Sequence, residues 1–178
     1  MKGIVFNLLE DAVTESHGPG TWDDLLDETG VDGAYTALGN YDDAELVALV
    51  GGVCRHQDAA PDEVLRAFGR RALPGLAERF PEFFTPHATV KPFLLTLDRV
   101  IHREVVKIYP GARPPRMSFE DPAPDVLVIR YVSERRMCAF AEGMIEGAAA
   151  HYDQAVHLAH RECLRDGGSR CTIVATFT

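Results

Sequence analysis

The sequence predicts a mostly helical α+β fold, and three observations support this. Apolar residues recur at helical spacing through most of the chain before Pro115, and this period is the main signature of an amphipathic helix. Three later segments are rich in β-branched and aromatic residues and carry period-2 stretches, as strands do. One more helical segment separates the last two of them. Strands at this spacing pair most readily as an antiparallel sheet with helices packed on it.

Composition and charge limit the possible classes of protein. The 178 residues are 46% hydrophobic and carry a formal net charge of -9, so we expect a single domain over residues 1–178 with its own core. The negative charge disfavours binding to nucleic acid or to anionic membrane surfaces. No apolar run is long enough to cross a bilayer, and the first residues do not have the pattern of a signal peptide. We therefore expect a cytoplasmic protein.

Helices are predicted along most of the N-terminal part. Pro61 suits the first position of a helix. The segment before it has acids at its start and basic residues at its end, as the helix dipole favours. The longest helix is predicted over about residues 86–109 and stops before Pro110. The earlier helical segments are "GIVFNLLEDAV", "WDDLLDETG", "YDDAELVALVGGVCRHQ" and "PDEVLRAFGRRAL".

His102 lies in the longest predicted helix, beside an apolar stripe. At about 100° per residue it shares its side with Val105 and Tyr109. A neutral imidazole at this place is either a metal ligand or a satisfied histidine at the edge of the core, and the spacing alone leaves both interpretations open. The main core stripe beside it is predicted to comprise Leu94, Leu97, Ile101 and Ile108.

The predicted strands are "RMSFE", "DVLVIRYVSER" and "SRCTIVATFT", and one long helix, "RMCAFAEGMIEGAAAHYDQAVHLAHREC", lies between the last two. If the strand extends through "YVSER", then Tyr131, Ser133 and Arg135 point to one face over roughly 13 Å. A phenol, a hydroxyl and a guanidinium group in one row suit an anion with several oxygens, such as a pair of carboxylates. The alternative is an ordinary exposed polar strand face.

The histidine and the polar row together suggest a specific ligand. A planar metal complex with two carboxylate tails needs one axial imidazole and a set of donors for its tails. Haem is such a ligand.

Four segments carry a resemblance to a known family: "MKGIVFNLLED", His102 followed by "YPGARPP", "RYVSERRMCAFAEGMIEGAA" and "GGSRCTIVATF". They resemble the bacterial haem-nitric-oxide/oxygen-binding (H-NOX) family, relatives of the haem domain of soluble guanylate cyclase. The likeness covers nearly the whole chain and includes the Y-x-S-x-R motif without departure. It implies a helical distal lobe over about residues 1–60. It also implies a proximal lobe over about residues 61–178, with helices on a four-stranded antiparallel sheet and haem between the lobes.

The resemblance also implies roles for particular residues. His102 would be the axial ligand of the iron of haem b. Tyr131, Ser133 and Arg135 would bind the propionates, and Pro115 would press on the macrocycle and distort it. Axial ligand, distal polarity and ring distortion are the means by which a protein tunes haem.

Gas selectivity is expected to depend on the distal pocket. Bound O₂ carries partial negative charge that a hydrogen-bond donor stabilises, whereas NO and CO do not need a donor. O₂-binding members of the family carry a tyrosine at the position of Phe140. Phe140 and Met144 lie four apart on one helix face, and Val5 and Leu9 of the first helix are expected opposite them. Since none of these side chains is a donor, we expect NO and CO to bind and O₂ to be excluded.

The cysteines raise a separate question. His160 and Cys163 are three apart in the predicted last helix, Cys171 follows after a glycine-containing turn, and Cys138 begins that helix. Three thiolates and an imidazole would complete a tetrahedral zinc site, and some members of the resembled family carry zinc on such residues. The alternative is that the cysteines are separately buried, which is the interpretation we give to Cys54.

The expected function is that of a gas sensor and not of an enzyme. The chain leaves no room for an output domain, so the signal would pass to a separate protein; the resemblance implies a histidine kinase or a cyclic-di-GMP enzyme. A zinc or thiol redox sensor is the alternative. Peroxide or oxygen catalysis is disfavoured, because the expected distal side lacks a histidine–arginine pair and common catalytic motifs do not occur.

Overall fold

A computed structural model describes all 178 residues. Four helices form the N-terminal part, and the first residue of the last is Pro61, as predicted. Their inward faces supply a core that includes Phe6, Leu49 and Phe68. The helices are α1 (Gly3–His17), α2 (Gly20–Thr29), α3 (Asp43–Gln57) and α4 (Pro61–Arg79).

The C-terminal part combines helices with one sheet. Its helices are α5 (Pro81–Phe84), α6 (Val90–Thr96), α7 (His102–Ile108) and α8 (Cys138–His151), and a short 3₁₀ turn covers Leu164–Asp166. The strands are β1 (Arg116–Ala123), β2 (Val126–Val132), β3 (Val156–Glu162) and β4 (Cys171–Phe177).

The four strands form one antiparallel sheet in the order β1-β2-β4-β3. Ile129 of β2 pairs with Phe119 of β1 and Ile173 of β4. Burial alternates along the two central strands, since Leu127, Ile129 and Ile173 have no more than 1% of their surface exposed. One face of the sheet therefore packs against the helices, and the predicted α+β class is confirmed.

The long helix predicted over residues 86–109 begins later and is interrupted. Between α6 and α7 the residues Leu97–Ile101 form a π turn, which ends immediately before His102. The predicted core stripe is also displaced: Ile108 is 45% exposed, whereas the next residue, Tyr109, is 6% exposed.

The long helix predicted after Arg135 is wrong in its second half. The helix ends at His151, and Asp153 has a positive φ of 57°. The chain then turns and forms β3, which pairs with β4 along the edge of the sheet. His160 therefore lies on a strand, and its predicted helical spacing to Cys163 does not exist.

Helices α4 and α8 cross in backbone contact. A Cβ atom added to Gly143 would lie 2.0 Å from the carbonyl oxygen of Arg66, and one added to Gly69 would lie 2.3 Å from the carbonyl oxygen of Phe140. Only glycine permits so close an approach. The contact matters for function because α8 also carries side chains that line a large cavity.

None of the helices combines the length and the apolar character that a membrane crossing requires.

Candidate haem cavity and cysteine–histidine cluster

A large apolar cavity lies between the N-terminal helices, the α6–α7 segment and the sheet. Its volume is about 490 Å³, and 24 of its 33 lining residues are hydrophobic. This volume is within the roughly 300–1,000 Å³ of small-molecule and cofactor sites. His102 is the only histidine in the lining, which contains no cysteine.

His102 reaches this cavity from the first residue of α7, directly after the π turn. Its Nδ1 atom is buried and lacks a hydrogen-bond partner. Burial lowers the pKa of His102 below its usual value, against the opposing influence of Asp98 and of the backbone at Pro115. The imidazole is therefore neutral near pH 7, which is the form that ligates a metal.

All three residues of the Y-x-S-x-R motif line the same cavity, but they do not lie on one strand. Strand β2 ends at Val132, so only Tyr131 belongs to it, while Ser133 and Arg135 lie in the turn that follows. Tyr131 is 4% exposed, and burial raises the pKa of its phenol. The Ser133 Oγ atom accepts a hydrogen bond of 3.3 Å from the backbone N–H of Arg135. The turn, not strand alternation, brings Ser133 and Arg135 to the cavity beside Tyr131.

Arg135 connects this turn to the start of the chain. One terminal nitrogen donates to the carbonyl oxygen of Arg113 at 2.8 Å. Its Nε lies 2.8 Å from Asp43 Oδ2 without hydrogen-bond alignment. The N-terminal ammonium of Met1 contacts the other carboxylate oxygen of Asp43 at 2.6 Å. Burial alone would raise the pKa of Asp43, but the ammonium group and Arg135 outweigh it and hold that pKa below its usual range.

The structure places three of the four predicted distal residues at the cavity: Val5, Phe140 and Met144 all line it. Leu9 does not; it is 2% exposed and packs within the core of the N-terminal helices. Leu9 follows Val5 by one helical turn, so it lies about 6 Å farther along α1, beyond the cavity. Pro115 also lines the cavity, in the segment just before β1.

These residues fit a haem group. The buried His102 Nδ1 atom has no hydrogen-bond partner, and Arg135 Nε has only its misaligned contact with Asp43, although buried polar groups are normally satisfied. The donor set combines one neutral imidazole with a tyrosine, a serine and an arginine. Its chemistry matches an iron porphyrin that carries two carboxylates, and the apolar remainder of the wall matches the ring.

A second group of polar side chains lies outside the cavity lining, next to Tyr131. Each of Cys138, His160, Cys163 and Cys171 offers one ligand atom, and these four atoms lie within 4.8 Å of one another. Cys138 begins α8, Cys171 begins β4, and the other two lie on β3 and just after it. Cys54 lies apart in α3, half-buried against the N-terminal core, and has a free thiol.

The sulfur positions in this cluster suit a tetrahedral metal ion. Cys163 Sγ lies 3.6 Å from Cys138 Sγ and 4.0 Å from Cys171 Sγ. Zinc–sulfur bonds of about 2.3 Å at tetrahedral angles place two sulfur atoms about 3.8 Å apart. The same separation excludes a disulfide, whose S–S distance is about 2.0 Å.

The three thiols differ in their ease of ionisation. Burial raises the pKa of Cys138 to about 12 and also raises that of Cys171. At Cys163 burial acts in the same direction, but hydrogen bonds from Arg165 and the neighbouring thiols outweigh it and lower the pKa. Arg165 is held by Asp62, at the start of α4, with 2.7 Å between Nη2 and Oδ2. Cys163 is therefore the thiol that ionises most readily.

The sequence matches the model of the Haem-NO-binding family over residues 2–160. The chain belongs to this family, also called H-NOX. A comparison of the sequence with curated proteins finds no match.

Several solved H-NOX structures share the fold over the whole chain. One is a crystal structure of an H-NOX protein from S. oneidensis in the Fe(II)NO ligation state. Its sequence identity with this chain is 31% and the TM-score is 0.95, and the match covers 100% of this chain and 99% of that chain. An NMR structure of an H-NOX domain from Shewanella oneidensis in the Fe(II)CO ligation state is also 31% identical, with a TM-score of 0.92 and the same coverage. A crystal structure of Fe(II) unliganded H-NOX protein from K. algicida, at 23% identity, 100% and 97% coverage and a TM-score of 0.89, shows likeness of fold alone.

Sequence reasoning missed two features of these sites. Asp43, which also contacts the N-terminal ammonium, reaches Arg135 more than 90 positions later, and the sequence carries no signal for this contact. Glu142 was also missed: it is 7% exposed, and its Oε1 lies 2.7 Å from Nδ1 of His160. A signal for Glu142 was available, because an acid within the otherwise apolar "CAFAEGMI" is unusual.

Proposed function

We propose that this H-NOX protein is a haem-based gas sensor that binds NO and CO, excludes O₂ and signals to a separate protein. The observation that carries the proposal is that one cavity is lined by all five of the expected haem-binding residues: His102, Pro115, Tyr131, Ser133 and Arg135. Ferrous haem b, when bound, would supply an iron atom that coordinates a diatomic gas. The family is one of sensors, so the chain's own residues need only hold the haem, select the gas and transmit the event.

His102 would hold the haem as its axial ligand. Its neutral imidazole needs no deprotonation to ligate iron, because burial already lowers its pKa. Tyr131, Ser133 and Arg135 would bind the propionates, with Arg135 exchanging part of its contact with Asp43 for a propionate. Pro115, half-buried in the wall, would press on the ring.

Selectivity would follow from the side chains of Val5, Phe140 and Met144. None of them donates a hydrogen bond, so bound O₂ would remain unstabilised, while NO and CO need no such donor. Phe140 packs against Phe68 of α4 with ring centroids 4.9 Å apart, which keeps this wall apolar.

Signalling would start at His102. Its release from iron on NO binding would remove a restraint on α7 and allow a lobe of about residues 1–60 to shift against residues 61–178. The separate hydrophobic clusters support two such lobes, although α4 contributes to both. A histidine kinase or a cyclic-di-GMP enzyme is the expected receiver of the signal.

The absorption spectrum of the reduced protein tests this selectivity. We expect the Soret band to be unchanged in air and to shift with NO to the position of a complex that lacks the His102 bond. The variant Phe140→Tyr places a phenol donor in the wall and should bind O₂ stably in air. Stable oxygenation of the unmodified protein, or no oxygenation of the variant, contradicts the proposed role of Phe140.

We propose a zinc centre at Cys138, His160, Cys163 and Cys171 as a second function, because their ligand atoms lie within 4.8 Å of one another. It would make the protein responsive to thiol oxidation as well as to gas. Elemental analysis of the purified protein should find about one zinc per chain. Cys138→Ser should lose the metal, whereas Cys54→Ser should retain it, because Cys54 lies outside the cluster. Equal zinc in both variants contradicts the assignment.

A further inference from the structure

Glu142 is a buried carboxylate that the proposed functions leave unused. It lies in the middle of α8 and is 7% exposed. Burying a carboxylate costs free energy unless it is paired and hydrogen-bonded. Both of its oxygens have partners: Oε1 lies 2.7 Å from His160 Nδ1, and Oε2 lies 3.3 Å from a terminal nitrogen of Arg66. The carboxylate thus lies between the cysteine–histidine cluster and helix α4.

We propose that Glu142 is a positioning residue for the metal centre. By accepting a hydrogen bond from Nδ1–H of His160, it fixes the tautomer and the ring orientation that leave Nε2 free to bind the ion. The inference rests on the proposed zinc centre. A carboxylate that holds the second nitrogen of a ligating histidine fixes the ring orientation and prevents the ring from turning away.

The position of Glu142 on α8 suits this role. Cys138 lies four residues earlier, so the two side chains share one side of the helix. One helix therefore supplies both a ligand and the group that orients another ligand. His160 itself lies on the edge strand β3, with 22% of its side chain exposed. A ring this accessible needs such a hydrogen bond to keep one orientation.

Arg66 holds the carboxylate from the other side. It extends from α4 and contacts two acids of α8, Glu142 and Glu146. Arg66 Nε donates to Glu146 Oε1 at 3.0 Å, and Glu146 also pairs with Arg70 at 2.8 Å. Glu146 therefore contacts the same arginine and lies on the same helix as Glu142, but only Glu142 is hydrogen-bonded to His160. This makes Glu146 the matched control.

The test compares zinc affinity in the full chain as purified and in two variants. Equilibrium dialysis against chelator-buffered zinc, followed by elemental analysis, gives each dissociation constant. Glu142→Gln replaces the acceptor-only carboxylate with a neutral amide that can also turn an N–H toward the ring, and it should weaken zinc binding by about 10- to 100-fold. Glu146→Gln should leave the dissociation constant unchanged, since it removes only the contacts with Arg66 and Arg70.

Two further measurements separate positioning from a structural role. In a His160→Ala background, Glu142→Gln should have no further effect on zinc affinity, because Glu142 acts through His160. In the metal-free unmodified protein, ¹⁵N NMR should show His160 with its proton on Nδ1. This second measurement needs no variant, so it remains decisive if Glu142→Gln fails to fold.

The outcomes are distinguishable. No zinc bound by the unmodified protein refutes the metal centre itself. Zinc binding with equal affinity in Glu142→Gln leaves the centre standing and overturns the role of Glu142. If Glu142→Gln lowers zinc affinity equally in the unmodified and His160→Ala backgrounds, the positioning role of Glu142 is also overturned. A His160 proton on Nε2 in the metal-free protein overturns this role as well.

Discussion

Replacing His102 with glycine should abolish the retention of haem unless free imidazole is supplied. His102 is the only histidine in the cavity lining, so no other imidazole can take its place. Glycine also leaves a space at the first residue of α7 into which an imidazole molecule can enter. We expect the purified variant to lack a Soret band, and to regain the band when it is expressed or reconstituted with imidazole.

The measurement is the ratio of Soret to protein absorbance after gel filtration. His157→Gly is a suitable control, because His157 is an exposed residue of β3 and lies outside the cavity lining. It should retain haem as the unmodified protein does. Full retention of haem by the His102 variant without imidazole would refute the ligand assignment. Loss of haem in both variants would point to a general effect on folding instead.

Gly143→Ala should destabilise the protein strongly, by about 1–3 kcal/mol or more for overpacking a tight interior contact. The added methyl group would lie 2.0 Å from the carbonyl oxygen of Arg66, which belongs to the backbone and cannot rotate away. Helices α4 and α8 would have to separate. Because Phe140 and Met144 lie on either side of Gly143 and line the cavity, haem affinity should fall together with stability.

Urea unfolding followed by circular dichroism measures the effect. The control is Gly20→Ala, at the start of α2, where an added Cβ meets no atom within 4 Å. There the loss of unfolded-state freedom should leave stability unchanged or raise it by about 0.4–1 kcal/mol. An unchanged unfolding midpoint for the Gly143 variant would show that the two helices are not in fixed backbone contact.

The sequence was sufficient for the fold class, because local patterns determine most helices and the two central strands. It failed at β3, where the helical pattern of α8 continues into "HYDQAVHLAHREC". What ends the helix is the turn at Asp153, with its positive φ. What makes the following residues a strand is pairing with β4, a non-local contact that no local pattern contains.

The sequence pattern named candidate site residues, but it did not give their geometry. His102 and Arg135 both line the cavity, yet Arg135 reaches it from a turn and not along a strand. His160 joins the cysteines from the edge of the sheet and not from a helix. Leu9 shares a face of α1 with Val5 but lies one turn farther along the helix, outside the cavity lining, because a shared helix face does not specify depth along the axis. In each case the residue type carried the chemistry, and tertiary structure determined the position.

The π turn at Leu97–Ile101 determines which face of α7 lies on the same side as the buried face of α6. At 100° per residue, an unbroken α-helix would place Tyr109 roughly 100° away from the face of α6 that buries Val90, Phe93 and Leu94. One additional residue in the turn cancels this offset, so Tyr109 is buried where Ile108 would otherwise be. The direction in which His102 points is thus set by an inserted residue upstream of it, and shortening the turn by one residue would aim the imidazole away from the cavity.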